Sequence, residues 1–463
     1  MPHPSGNVAY KTTTENILNM TPDLVSTNLA EKSYPYWRLR VMYTAIIGYA
    51  VFYLVRANFS VAIPIIGQTY GYSKTQLGIV ITVFSIVYGI GKFINGYLSD
   101  KSNARYFMSI ALVGSATVNC FMGFGDSIFF FCVLWGINAW FQSMAWPPIV
   151  RLLTHWFSPV ELGTRWGIVN SSHQIGGAAI FLLASYLIVN FGWQSAFYIP
   201  AIIAFGTAIF LFNRLRDTPH SLGLPSIEEY KGIVKSKQCE EDEHITNREL
   251  VRRVLRNKLL WYVCLGNMFL YIVRMGAFTW APTFLQEMKG SAVIASAWQG
   301  AAFEIAGIAG GIIAGIASDR IFKGRRGPVS VVYMIALVFA LFYFMYVPEG
   351  NQTMLFFAMF ALGFLIFGPQ VLAGIAAADF ASKKAACTAN GLTGTFGYLG
   401  GAISGVGIGY IADTWGWNGG FLFLAASAAM GAICFSLTWN HRSEVLEAQH
   451  KNNKAKKTAA RLV

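Results

Sequence analysis

Four ionisable side chains stand where ionisable side chains are expensive. Arg56, Lys92, Arg274 and Glu304 each lie inside a run of apolar residues, and a charge in the middle of a membrane span costs about 2.5 to 3.5 kcal/mol on insertion scales. Two guanidinium groups facing one cavity suit a tetrahedral dianion such as a phosphate monoester, because each planar fork binds two oxygens at once and stays protonated throughout. Lys92, in Tyr88-Gly-Ile-Gly-Lys92, adds a third positive charge; its alternative is to stretch along its stem to the membrane surface. Glu304 either neutralises Arg274 when the site is empty or satisfies a neighbouring helix. His173 follows Asn170 by one helical turn, so both can share a face, and a histidine on phosphate would bring pH sensitivity. Tyr53 and Tyr271, each three residues before an arginine, together with Tyr88 and Tyr398, offer hydroxyls for substrate oxygens. No nucleophile, base and orienter set and no metal-ligand cluster accompanies them, so neither an enzyme nor a metal or other cofactor is expected.

These residues need elements that cross a membrane. The chain has 463 residues, 55% hydrophobic and 12% charged, with a mean hydropathy of +0.47, whereas a soluble domain carries roughly a quarter charged residues. Twelve apolar stretches are long enough to span: 41–66, 77–98, 106–125, 128–150, 166–190, 195–213, 259–285, 294–317, 329–347, 354–378, 388–411 and 420–439. The expected fold is therefore an all-α multi-pass membrane protein. Residues 1–37 are polar with no cleavable leader pattern, so the first apolar stretch serves as an uncleaved anchor. Five of the six cysteines lie in apolar stretches and Cys239 in a polar linker, without a CxxC spacing, which argues against disulfides and structural zinc.

The net charge of +13 would on its own suggest nucleic acid. Position decides otherwise. Thirty of the thirty-five Lys and Arg residues fall in the two terminal tails, the central linker and alternate loops, while the opposite loops hold Lys74 and Lys289. Basic residues favour cytoplasmic loops, so both termini are expected in the cytoplasm and no nucleic acid is expected as a partner. Lys451, Lys454, Lys456 and Lys457 of the tail could touch anionic lipid.

The polar interval 214–258 divides the stretches six and six, and the two sets repeat each other. Tyr53-Leu-Val-Arg56 recurs as Tyr271-Ile-Val-Arg274, Gly96-Tyr-Leu-Ser-Asp100 as Gly315-Ile-Ala-Ser-Asp319, Ile175-Gly-Gly-Ala178 as Leu399-Gly-Gly-Ala402, and Phe191-Gly-Trp193 as Trp415-Gly-Trp417. An even number of helices per half keeps both halves in one orientation, related by a pseudo-twofold axis along the membrane normal. The expected organisation is an N-terminal tail (1–37), two six-helix halves (38–213 and 259–440) joined by a linker (214–258), and a basic tail (441–463). Arg56 and Arg274 become repeat equivalents, each sixteen residues into its stretch and so about 24 Å from the helix start. The Gly-x-x-x-Asp segments, with Asp100 followed by Lys101 and Arg105 in one half and Asp319 by Arg320, Arg325 and Arg326 in the other, suit a charge latch that breaks when the halves rock.

Those segments resemble the loop signature of the major facilitator superfamily. Tyr53-Leu-Val-Arg56-Ala-Asn-Phe, Gly91-Lys92-Phe, Trp146-Pro-Pro148, Asn170-x-x-His173, Arg216-Asp-Thr-Pro219, Phe367-Gly-Pro369 and Gly397-Tyr398-Leu-Gly-Gly401 are similar to its organophosphate:phosphate antiporters, the glycerol-3-phosphate branch above all, over about 36–440. The resemblance implies exchange of inorganic phosphate for a phosphate ester, glycerol-3-phosphate first, across the cytoplasmic (inner) membrane by a monomer, with a hexose-6-phosphate or phosphoglycerate antiporter or a transporter-like sugar-phosphate receptor as the alternatives. It also implies that Arg56 and Arg274 grip phosphate with Lys92, His173, Asn170, Tyr271 and Tyr398 around them. Ala57 replaces the lysine of relatives, and Asn390-Gly-Leu-Thr393 replaces an Asp-Gly-Ile-Lys of the hexose-phosphate branch, which favours a small glycerol-type ester over a sugar phosphate.

Overall fold

The computed structural model describes residues 22–231, 247–381 and 386–441; Cys239 and the lysines of the basic tail lie outside them. Within the membrane a backbone must satisfy its own polar groups, and every described regular element is a helix. Helices α1 (Pro22–Leu54) and α2 (Asn58–Tyr70) form the first span, α3 (Lys74–Asp100) the second, α4 (Ala104–Met122) the third, α5 (Ile128–Ser143) with α6 (Trp146–Trp156) the fourth, α7 (Pro159–Phe191) the fifth and α8 (Ser195–Arg214) the sixth. The other half comprises α9 (Lys258–Lys289), α10 (Val293–Ile316), α11 (Arg326–Tyr346), α12 (Gln352–Asp379) and α13 (Ala386–Ser436). Gly416, at φ 70° and ψ 179°, breaks α13 into the last two spans.

Every apolar stretch thus finds its helix, with three departures from the expected runs. Helix α1 begins at Pro22, well inside the polar tail. The fourth span changes direction after Ser143, and α6 restarts with prolines in its first turn, where their missing N–H groups leave no bond unmade. The first span is interrupted at residues 55–57, so the depth of Arg56 cannot be counted along one straight helix.

The halves meet mainly through α3 against α13 and α7 against α10, and at the end remote from the termini they are shut. A Cβ on Gly78 of α3 would lie 2.5 Å from the Gly405 carbonyl oxygen of α13, so only glycine permits this approach. Thr82 Oγ1 donates to the Ala402 carbonyl at 2.8 Å and accepts from Val406 N at 3.0 Å. Above them, Lys74 N and Thr75 N donate to Asp413 Oδ1 and Oδ2 at 3.1 and 2.7 Å, and Thr75 Oγ1 donates to Asp413 Oδ2 at 2.6 Å. A carboxylate of one half thereby caps the positive end of a helix in the other. Lys74 Nζ also lies 3.1 Å from Glu287 Oε2, which accepts from Trp417 Nε1 at 2.9 Å. At the opposite end Cβ atoms built on Gly96, Gly167, Gly315 and Gly391 of the same four helices would meet nothing within 4 Å, so these positions are not packed against the facing half.

The charged networks at this open end lie within each half and differ from the expected latch. Arg151 grips Asp217 with Nε and Nη2 at 2.9 and 3.0 Å while its Nη1 donates to the Asp100 backbone carbonyl at 2.7 Å. Arg105 instead donates to the Phe212 carbonyl, its Cζ 4.2 Å from the Phe212 ring centroid. In the second half Arg326, not Arg320, pairs with Asp319 and reaches Asp379 Oδ2 at 3.2 Å; Arg320 is exposed. The reason is position: Arg151 in the middle of α6 and Arg326 at the start of α11 face acidic groups of their own half, whereas Arg105 lies against Phe212 and Arg320 is exposed. The linker residues 225–231 also dock, Tyr230 stacking on Tyr34 with ring centroids 4.1 Å apart and Lys231 Nζ lying 2.9 Å from Glu161 Oε1. The Lys231 hydrogen bond, aided by the Arg38 charge, holds the Glu161 carboxyl down from 4.5 to about 2. This contribution is present above the ordinary carboxylate pKa and is lost as pH falls toward 2.

Replacing Asp413 and Glu287 together with alanine is expected to loosen the shut end. A cysteine placed at Ile81 should then react severalfold faster with an impermeant maleimide applied from that side; unchanged labelling would mean that glycine packing alone closes it.

Candidate functional site

The interruption at residues 55–57 is what presents Arg56. Residues 55–57 leave helical geometry, and Arg56 N and Ala57 N fall back on the Tyr53 carbonyl at 3.3 and 2.9 Å. The carbonyls released by the break need donors where water cannot serve. Val55 O accepts from Asn119 Nδ2 and Asn138 Nδ2, both at 3.0 Å, and Phe52 O accepts from Gln142 Nε2 at 3.1 Å. Asn58 Nδ2 donates to Asn119 Oδ1 at 2.8 Å and to the Ala196 carbonyl at 3.0 Å. Ser115 Oγ closes the network by donating to Asn138 Oδ1 at 2.6 Å. All these side chains are buried. Sequence reasoning centred on charge passed over them, yet the signal was present: uncharged amides deep in apolar runs survive only where they are bonded.

The guanidinium of Arg56 sits among aromatic rings, its Cζ 4.6 Å from the Tyr88 centroid, 5.2 Å from Tyr53 and 5.3 Å from Phe84. Nη2 also donates to Tyr398 Oη at 3.4 Å. Tyr398 stacks on Tyr88 with centroids 4.3 Å apart, and Lys92 Nζ lies 5.6 Å from the Tyr398 centroid, so Lys92 turns toward the arginine cluster.

Arg274 rises from an unbroken α9. Its Cζ lies 5.3 Å from the Tyr271 centroid and 5.2 Å from Phe367. His173 joins this cluster, its ring 5.8 Å from Phe367 and 5.4 Å from Tyr53. Its Nδ1 donates to the Asn170 carbonyl, while the buried Nε2 has no partner among the described residues. Ring faces satisfy much of the two cations' need for a partner, so apart from the Arg56 Nη2 bond to Tyr398 the N–H forks remain available to a ligand. Tyr53, Arg56, Arg274 and Tyr398 line a single pocket between the halves.

Other expected site residues stand elsewhere. Glu304 makes no hydrogen bond to Arg274, though the two interact through space: both carboxylate oxygens are buried without a hydrogen-bond partner among the described residues. The carboxyl instead packs against α7, where a Cβ on Gly177 would lie 3.0 Å from its Cδ. Thr393 turns into its own half, Oγ1 donating to the Ala389 carbonyl at 2.9 Å and its carbonyl accepting from Asn267 Nδ2 at 2.9 Å. Asn390 is exposed near the start of α13, and Ala57 is fully buried in the break. Asn170 contributes its backbone carbonyl to His173, as above.

The architecture and the sequence agree on ancestry. The Major Facilitator Superfamily model matches residues 45–405. The chain belongs to this superfamily. Within it, the chain groups with the organophosphate:phosphate antiporters. A "Probable hexose phosphate transport protein" of Chlamydia pneumoniae is 41% identical over 444 residues, covering 92% of this chain and 95% of its own. The "Glycerol-3-phosphate transporter" of Bacillus subtilis (strain 168) is 43% identical over 418 residues, covering 89% and 94%. Among solved structures, a bacterial homolog to the human lysosomal transporter Spinster, in an inward-facing and unoccupied conformation, superposes with a TM-score of 0.71 over 87% of this chain and 97% of that one. At 16% identity this last likeness concerns the fold alone. For this superfamily member the network around the break supports the site directly. Replacing Asn119 and Asn138 together with leucine leaves Val55 O buried without a donor and is expected to cost about 1–3 kcal/mol, read as a lower thermal unfolding midpoint in detergent; either single replacement should cost less.

Proposed function

We propose that this protein is a secondary active transporter that exchanges an organic phosphate ester, glycerol-3-phosphate or a hexose phosphate, for inorganic phosphate by alternating access. The observation that carries the reading is the pair Arg56 and Arg274, repeat equivalents that line one pocket between the halves. Two guanidinium forks held by ring faces, with Lys92 beside them, form a charged cradle for a dianion and for little else. The related hexose phosphate and glycerol-3-phosphate transport proteins point to the same substrate class. In this reading both termini are cytoplasmic in a bacterial inner membrane, the open end faces the cytoplasm, and a monomer suffices.

Phosphate bound by both arginines draws the halves 38–213 and 259–440 together at the open end and closes it. The shut end, held by Asp413 and by the Lys74–Glu287 pair, then yields. An empty pocket resists the same movement, because closing it brings two uncompensated cations toward each other in a medium of low dielectric. Exchange rather than net flux follows from that resistance. His173 Nε2 and the Tyr398 hydroxyl complete the set of groups that phosphate oxygens can meet.

Purified protein in phosphate-loaded vesicles should take up external ester at a rate set by internal phosphate. Arg56→Lys and Arg274→Lys retain the charge and lose the fork, and each is expected to lower exchange about a hundredfold or more, in keeping with about 3 kcal/mol for a lost bidentate contact. Exchange by Arg56→Lys at the normal rate would falsify the bidentate grip. Rapid ester uptake into phosphate-free vesicles would rule out obligatory exchange, and ester binding with no exchange under any loading would point to a receptor.

A further inference from the structure

The pocket extends beyond the arginines, toward the shut end, into a region that the phosphate reading leaves unused. Its walls there carry three hydroxyls: Ser60 of α2, Ser85 of α3 and Thr279 of α9. Each residue is more than nine-tenths buried, at 5%, 4% and 7% exposure. Helical serine and threonine usually return their hydroxyl to a carbonyl one turn back, as Thr44, Ser109 and Ser330 do here. The hydroxyls of Ser60, Ser85 and Thr279 make no hydrogen bond to any described group. Three hydroxyls in separate helices, none bonded within the described protein and all bordering the same pocket, are free to pair with a ligand that enters it.

Their placement is directional. Thr279 is five residues beyond Arg274 on α9, about 7.5 Å further from the open end, and Ser85 is seven residues beyond Lys92 on α3, about 10.5 Å further. Ser60 follows Arg56 across the break. Phe59, Phe84 and Trp135 line the same pocket. Hydroxyls and aromatic rings in one wall suit a ligand that itself combines O–H groups with C–H surface. The ends of a phosphate ester differ in the same way, one anionic and one hydroxylated.

Resting on the phosphate reading of Arg56 and Arg274, we infer that Ser60, Ser85 and Thr279 form a hydroxyl-binding subsite for the organic group of the ester, which enters phosphate last and hydroxyls first. The substrate class this selects is a polyhydroxylated phosphate monoester, and discrimination among esters resides here rather than at Asn390 and Thr393. Thr393 is turned into its own half, and neither residue lines the pocket. An ester with several hydroxyls engages all three groups, and one with two hydroxyls engages fewer.

Ser60→Ala, Ser85→Ala and Thr279→Val each remove a hydroxyl with little change in shape. Calorimetric titration of purified protein with glucose-6-phosphate, glycerol-3-phosphate and inorganic phosphate tests the assignment. Each variant should weaken glucose-6-phosphate binding relative to inorganic phosphate by about three- to tenfold, the range of one hydrogen bond, and weaken glycerol-3-phosphate by less. Affinities for ester and phosphate that fall together in all three variants, or that do not change, overturn the subsite. The unfolding midpoint of each variant, compared with the parent, separates a lost contact from a damaged fold. Vesicle exchange by the parent protein is the independent measure of the transport reading: its absence with the ester-selective loss intact overturns transport and leaves the subsite standing.

Discussion

A helix broken inside an apolar layer leaves peptide carbonyls that water cannot reach, and the first span of this protein is built around that difficulty. Asn119, Asn138 and Gln142 donate to the carbonyls of Val55 and Phe52, and without those donors the chain would be driven back into regular helix. The break then turns Arg56 out of register with its own helix and into the ring faces of Tyr53, Phe84 and Tyr88. A neutral network thus governs where a charge points. Removing the charge would spare the network, but removing the network would misplace the charge.

The second half reaches a similar result by other means. Helix α9 runs without interruption past Arg274, so regular helical geometry alone delivers that side chain to Tyr271 and Phe367. The two halves repeat in sequence and in position, but one presents its cation from an interrupted helix and the other from a continuous one. Movement of the halves will therefore not act on the two arginines equally: Arg274 must travel with α9 as a body, whereas Arg56 can shift against α1 and α2 if its network yields. The ring faces that cradle both groups stand in for a counter-ion, which is what an anion site needs between substrates.

Much of this was legible in the sequence. Twelve apolar stretches, the repeat of Tyr-x-Val-Arg and the concentration of cations on alternate loops already imply the two-half membrane fold, because span length and backbone satisfaction admit so few alternatives. The arginines announced themselves by cost. What sequence could not supply was direction around the helix. Thr393 and Glu304 sit at plausible depths yet face α9 and α7, a matter of rotation by a fraction of a turn against neighbours that only packing decides. The partners of Asp100 and Asp319 went astray for the same reason, since Arg105 lies against Phe212 and Arg320 is exposed. Ser60, Ser85 and Thr279 were invisible for a different reason: hydroxyls are common in membrane helices, and only the lack of an internal partner combined with a place in the pocket wall distinguishes them.

The cap that Asp413 places on α3 carries a consequence for how the protein changes shape. Ser73 and Gln76 form a reciprocal cap on the same helix end from within its own half, Gln76 N donating to Ser73 Oγ and Ser73 N to Gln76 Oε1. Helix α3 therefore has two sources of termination, one permanent and one borrowed. When the halves separate, the borrowed carboxylate leaves and the first turn does not fray, because the local cap persists and water takes over the N–H groups of Lys74 and Thr75. A cap is worth about 0.5 to 2 kcal/mol, only a little above thermal energy. The protein has taken an interaction that ordinarily ends helices and used it as a fastener weak enough to be undone on every cycle.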